Sequence, residues 1–272
     1  MAPGSEPPAG RGVLRWIPPV ALEGAWQMAL DEVLLDAVVA GDDPSGPLIR
    51  LYRWSRPTLS LGYHQRRIEP HWCQLALEGT IDLVRRPSGG RAVLHAGDLT
   101  YALVWPSPGL PRLEAYRQAC AWLQRTFADL NQPLEFGDHR PAVATGNCFA
   151  LATAADLVHP DGSKRIGSAQ LWRRGHLLQH GSIQLKPPAA LWRELFGTPP
   201  PCLAPLPVGD GELVERLAAA AVAFWGELRT QPLTDMERAA AAERLDRYRA
   251  PELCRAAPDS VTSPVPTMPR AT

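Results

Sequence analysis

Residues 84–98 read VRRPSGGRAVLHAGD, and the segment just after the glycine pair decides what the chain can be. AVLH and then DLTYALVW carry a strand-like apolar pattern, not a helical stripe. A Walker loop needs Gly-Lys-Ser/Thr, and a dinucleotide fingerprint needs G-x-G-x-x-G, each entering a helix. Neither is present, so both standard phosphate-loop classes are excluded. What remains is a turn at Gly89-Gly90, where backbone can approach a ligand closely. Arg85, Arg86 and Arg91 flank it, and guanidinium groups suit phosphate or carboxylate partners. A charged β-turn without a ligand fits the same residues.

Around this loop, Trp26, Leu30, Val33, Leu34 and Val38 share one helical face, predicting a helix over 24–40. PLIRLYRW and TLSLGYHQ read as strands split by the turn signal Arg56-Pro57. IDLVRR reads as a short strand leading into the loop. Leu113, Tyr116, Cys120, Leu123, Phe127 and Leu130 recur at helical spacing, predicting a helix over 112–130. Residues 145–186 predict an antiparallel meander, in which ATAADLV and KRIGSAQLW flank the hairpin signal HPDGS. RRG then turns into HLLQHGSIQL. Two further helices are expected over 210–228 and 235–249, the second opened by the capping-box pair Thr234 and Glu237. Strands in runs between helices indicate an α+β domain with a mixed or mostly antiparallel sheet flanked by helices. The Pro- and Gly-rich residues 1–12 and the tail 255–272 are expected to be disordered, leaving one domain over 13–250.

The chain has 28 basic and 28 acidic residues, so no global field favours nucleic acid or a membrane surface. The N-terminus has no apolar signal core, and no run of about 18 apolar residues occurs. A cytoplasmic location is expected. Cys73, Cys120, Cys148, Cys202 and Cys254 are odd in number and widely spaced, without C-x-x-C. That pattern argues against a disulfide framework or a metal site and for reduced thiols.

Two residues have chemistry to offer. Cys148 comes after Gly146-Asn147, outside the helical stripes, where a thiol can be exposed and reactive. A lone cysteine is more often structural, as Cys120 in its stripe is expected to be. Lys164 opens the strand after HPDGS, which folds it back toward the strand beyond Cys148. An ammonium there would stabilise a thiolate or donate to a carbonyl oxygen as charge develops. A solvated strand-end lysine is equally compatible.

Four segments in order carry a resemblance: MALDEVLL, RWSRPTLSLGYHQ, RRPSGGRAVLHAGDLTYAL and KRIGSAQLWRRGHLLQHGSI. Together they resemble the lipoate–protein ligase A and octanoyltransferase family, with its biotin/lipoate-ligase-like catalytic domain. Cys148-Phe149 looks like the Cys-Phe of the cysteine-dependent octanoyl-[acyl carrier protein]:protein octanoyltransferases. Gly89-Gly90-Arg91 resembles the loop of those transferases, where the ligases more often carry a third glycine. The tail of about 20 residues is too short for the accessory domain of many ligases.

The resemblance implies acyl transfer in two steps. Cys148 would take octanoate from acyl carrier protein as a thioester. It would pass it to the target lysine of lipoyl domains of 2-oxoacid dehydrogenases or of the glycine cleavage H protein. Lys164 would lower the cysteine pKa and orient the carbonyl. Gly167, Ser168 and Ala169 would line the acyl tunnel, with His180 and Gly181 on the facing strand and His95 in the wall. His180 could be a proton shuttle, but a packed, hydrogen-bonded role is favoured. Arg85, Arg86, Ser88, Gly89, Gly90 and Arg91 would close over the chain, the arginines meeting the pantetheine phosphate or an acidic carrier. No cofactor is implied. The alternative is an ATP-dependent lipoate–protein ligase forming lipoyl-adenylate, with ATP and Mg. Another lipoyl protein as donor, or a binding-only family member, fits the same segments. Ala96 and the stretch ALATAADLV depart from the family pattern.

Overall fold

The computed structural model describes residues 12–41, 46–137, 156–249 and 254. Their elements are β1 (Gly12–Leu22), α1 (Gly24–Ala40), β2 (Leu48–Trp54), β3 (Thr58–Leu61), α2 (Pro70–Leu77) and β4 (Asp82–Arg85). Then come β5 (Val93–His95), β6 (Asp98–Trp105), α3 (Arg112–Asp129), β7 (Glu135–Phe136), β8 (Asp156–Val158), β9 (Lys164–Arg173) and β10 (His176–Gln184). The chain continues through α4 (Ala189–Phe196), α5 (Asp210–Trp225), β11 (Gly226–Thr230), α6 (Asp235–Ala242) and a 3₁₀ turn (Leu245–Arg247). Eight strands form one mixed sheet in the order β11-β1-β2-β6-β10-β9-β8-β7, and three form a second, β4-β3-β5. β1 runs parallel to both β11 and β2, and β3 parallel to β4; the other pairings are antiparallel. The α+β architecture with a mixed sheet flanked by helices is the expected one.

Side-chain alternation gives the large sheet two faces. Leu51, Tyr101, Leu103, Leu177 and Ile183 point to one side, where Trp122 and Phe127 of α3 and Leu217 and Trp225 of α5 close a dry core. Tyr52, Ala102, Val104 and Leu178 point to the other, against α1. A third cluster packs Leu59, Leu61, Leu83 and Leu94 of the small sheet against Trp72 of α2 and Trp192 of α4.

α1 spans the predicted 24–40, but its buried surface is broader than one stripe. It packs on the large sheet and also against β4 and α6, so Gln27, Asp31 and Glu32 are buried too. It stops at Gly41, whose φ of +83° is a left-handed conformation suited to glycine. The capping box at Thr234 and Glu237 is present with both of its hydrogen bonds.

Several elements have no clear signature in the sequence. β1 contains Pro18-Pro19, accommodated by a shift in register between Ile17 and Val20. β11 begins directly where α5 ends, at Gly226, so the helix stops at Trp225 and not at 228. α6 likewise ends at Ala242 and gives way to the 3₁₀ turn. α2 and α4 are only eight residues each, too short for a period to stand out. Leu113, counted in the α3 stripe, is exposed.

The expectation of reduced thiols is overturned for one pair: Cys73 of α2 and Cys254 form a disulfide, with Cα atoms 5.5 Å apart. Their sequence separation of 181 hid the pairing. The chain returns after α6, where Arg249 bridges to Val84 of β4, and Cys254 packs on the third core. Cys120 is buried and Cys202 exposed, both as free thiols. The expected disordered residues 1–11 and 255–272 lie outside the described residues, whereas Gly12 already belongs to β1.

Candidate functional site

Between the α1 face of the large sheet and the small sheet runs a narrow cavity of about 50 Å³. A water needs about 10–15 Å³ on this measure, so the cavity has room for several water-sized groups. Its floor is one cross-strand row, Gly167–Ser182–Thr100–Tyr52, contributed by four adjacent strands. Small residues in three of the four positions leave the space open. Ala169 and His180 form the start of the next row. Met28 of α1, Trp54, and Ser60, Arg86, Gly90, Val93 and His95 of the small-sheet side complete the walls. The predicted lining residues Gly167, Ala169, His95, His180, Gly181, Gly90 and Arg86 therefore meet in one place. Ser168 contributes backbone, because its hydroxyl points to the dry core and bonds Tyr101 at 2.8 Å.

The Gly89-Gly90 turn lies against this slot. Gly90 has φ +97°, and its carbonyl oxygen lies 1.8 Å from where a Cβ on Gly62 would stand. Two backbones thus touch where any side chain would separate them. Two of the flanking arginines bond backbone carbonyls. Arg86 is buried and bonds the carbonyls of Ser60, Gly89 and Arg91 at 2.8–2.9 Å. Arg85 bonds the carbonyls of Gly62 and Gln65 at 2.8 and 2.7 Å. These bonds tie both arginines to the loop and its neighbours. Arg173 pairs with Glu32 and Asp36.

Polar groups on the slot face are wired into two chains. His95 Nδ1 bonds Asp98 at 2.9 Å and Nε2 bonds the Ser60 hydroxyl at 2.8 Å. Asp98 also accepts from Ser182 at 2.6 Å and Thr100 at 3.1 Å, and Trp54 donates to Thr100 at 2.8 Å while stacking on His95. Burial pushes the His95 pKa down, against the pull of Asp98. The second chain joins Asp31 Oδ2 to His180 Nδ1 at 2.8 Å, and His180 Nε2 to the Ser88 hydroxyl. His180 is thus the packed, doubly bonded residue that the strand pattern favours. On the dry face, burial pushes the Cys120 thiol up to about 12, as expected of a core cysteine.

Lys164 is buried, and its ammonium lies 2.9 Å from Asp156. Asp156 pairs across strands with Gly167 of the slot floor, and Leu157 with Ile166, but Val158 then pairs with Lys164. Arg165 is the extra residue of this bulge. Without it, Lys164, three residues from Gly167, would face the dry core; the bulge turns it to the slot side. Arg165 is held by the carbonyls of Gln184 and Ala204, at 2.9 and 2.6 Å. Cys148 lies outside the described residues.

Asp31, Asp98, Asp156, Trp54 and Ser60 join the site without having been expected there. Asp31 carried a signal, a carboxylate inside the apolar helix run MALDEVLL. Asp98 and Thr100 carried another, the polar alternation within DLTYALVW. No group of three His, Cys, Asp or Glu among the described residues is arranged to hold a metal ion. No helix among them is long and apolar enough to cross a membrane.

Residues 23–199 match the family model of the lipoyl protein ligase A/B catalytic domain. Octanoyltransferase LipM of Kyrpidia tusciae is 36% identical over 259 residues, covering 84% of this chain and 93% of the relative. Among solved structures, a bipartite lipoate protein ligase studied with its E2 lipoyl domain from Thermoplasma acidophilum aligns with TM-score 0.67 at 19% identity, covering 88% of this chain and 93% of the other. A lipoate-protein ligase A bound with ATP aligns with TM-score 0.69 at 20% identity, covering 88% and 95%. At these identities the two structures share the fold.

Proposed function

We propose that this chain, which belongs to the lipoyl protein ligase A/B catalytic domain family, transfers octanoyl groups to lipoyl domains in protein lipoylation. The observation that carries the reading is the cavity floored by Gly167, Ser182 and Thr100, with Asp156, the partner of buried Lys164, in register with Gly167. Its lining, mostly small and apolar groups beside a few polar ones, suits an acyl chain. Similarity to an octanoyltransferase over nearly the whole relative supports the acyl group.

In the proposed reaction the Cys148 thiolate attacks the thioester carbonyl of octanoyl–acyl carrier protein. The C–S bond to the pantetheine arm breaks, the arm leaves as a thiolate, and the octanoyl group stays on Cys148 as a thioester. The ε-amine of the acceptor lysine, on a 2-oxoacid dehydrogenase lipoyl domain or the H protein, then attacks. The amide forms, the amine loses a proton, and Cys148 is regenerated. Lys164 supplies positive charge for the thiolate and for the developing carbonyl oxygen, and Asp156 fixes its position. Neither ATP nor a metal takes part, and the reaction is assigned to the cytoplasm.

The test is intact-mass spectrometry after mixing the protein with octanoyl–acyl carrier protein without ATP. An octanoyl adduct is expected on the wild type and not on Cys148→Ala. No adduct, together with ATP-dependent loading of lipoate, would make the chain a ligase instead.

A further inference from the structure

Asp31 has no solvent exposure and sits mid-helix in an apolar run, yet the acyl-transfer steps do not use it. A buried carboxylate is costly unless its partners hold it, and such networks tend to specify one arrangement of the groups they join. Asp31 accepts from the Tyr52 hydroxyl at 3.0 Å and from His180 Nδ1 at 2.8 Å, with Arg50 3.5 Å away as counter-charge. A carboxylate only accepts, so Nδ1 of His180 is the donor, and Nε2 is left to meet the Ser88 hydroxyl. Ser88 belongs to the turn that carries Gly90, and its carbonyl receives the Tyr63 N–H at 2.8 Å. The chain Asp31–His180–Ser88 thus crosses from α1, over the sheet, to the loop above the slot.

The order Asp, His, Ser is also that of a nucleophilic triad. Ser88 is only 1% exposed and is not among the slot's lining residues, so no acyl carbonyl reaches its hydroxyl. We propose instead that His180 is a positioning residue for acyl binding. Asp31 fixes its ring, and the ring tethers Ser88 so that the Gly89-Gly90 turn stays closed on the slot. The inference deepens the acyl-transfer reading and rests on it for the identity of the bound chain.

Two measurements decide it. Amide hydrogen exchange is followed at residues 88–91, and octanoate binding is followed by calorimetry. The variants are Ser88→Ala, His180→Asn and their double. In His180→Asn the amide replaces Nδ1, keeping the Asp31 contact while losing reach to Ser88. Loop exchange is expected to rise about tenfold in each single variant, with β6 and β10 unchanged. Octanoate should bind about tenfold more weakly, the loss of one buried hydrogen bond. The double variant should be no worse than either single one, because both cut the same link. Unchanged loop exchange, or effects that add, would overturn the tether. If His180→Asn does not fold, Ser88→Ala alone decides by the same exchange readout. If the wild type forms no octanoyl adduct from octanoyl–acyl carrier protein, the acyl reading fails, and loop exchange still decides the tether.

Discussion

The two faces of the large sheet use the same strands and do opposite things. On β6 and β10, Leu99, Tyr101, Leu103, Leu177 and Ile183 alternate with Asp98, Thr100, His180 and Ser182. The first set closes against α3 and α5 with no room left. The second keeps a slot open, and its hydroxyl and imidazole groups bond the Asp98 carboxylate. A hollow lined by small residues cannot hold its own shape by packing, so hydrogen bonds to buried carboxylates hold it. One face supplies stability and the other supplies a defined space.

That division can be broken in order of expected effect. Trp122→Ala, in the dry core, should cost about 3–5 kcal/mol in denaturant unfolding, while the folded fraction keeps its octanoate affinity. Ala169→Phe fills the slot without touching the dry core. It should weaken octanoate binding by roughly 100-fold, about 2.7 kcal/mol, and shift the unfolding midpoint little. Equal losses of stability in the two variants would erase the distinction.

Acid should act on the slot face more mildly. The folded pKa of His95 lies below its ordinary 6.5, mainly because it is buried. Its contribution to stability is therefore full above about pH 6.5 and is lost as pH falls through the folded value. Thermal melts between about pH 7 and 5 should show this decline, and His95→Gln should flatten it. A decline of equal size in the variant assigns it to other groups. The smallest effect is expected from Gln179→Leu. Gln179 donates to Tyr101 at 2.9 Å and to Cys120 at 3.3 Å on the dry face. Tyr101 keeps its bond to Ser168, so the cost should stay below about 1 kcal/mol. A larger loss would mean the dry face also depends on polar wiring.

Local features were legible in the sequence. α1, the HPDGS hairpin and the Thr234–Glu237 capping box are each written within a few neighbouring residues. The candidate lining also was, since Gly167, Ala169, His95 and His180 do converge. What escaped is what joins distant residues. Asp31 and His180 are 149 apart, and their contact has no local signature. Lys164 shares a sheet face with Gly167 only through a bulge that strict alternation would not reveal. Arg85 and Arg86 were read by charge, which says nothing of the backbone carbonyls they also bond.

The pairing of β1 with β11 has a consequence during synthesis. Gly12 meets Gly226 in a parallel ladder, so that edge of β1 stays bare until the ribosome has made more than 200 further residues. At about 5–20 residues per second this is roughly 10–40 s. Throughout that interval a nascent chain carries an unpaired strand edge, a template for mispairing. Chaperone capture of stalled chains should fall sharply once residue 230 clears the exit tunnel, and crosslinking of chains stalled before and after that point would measure it.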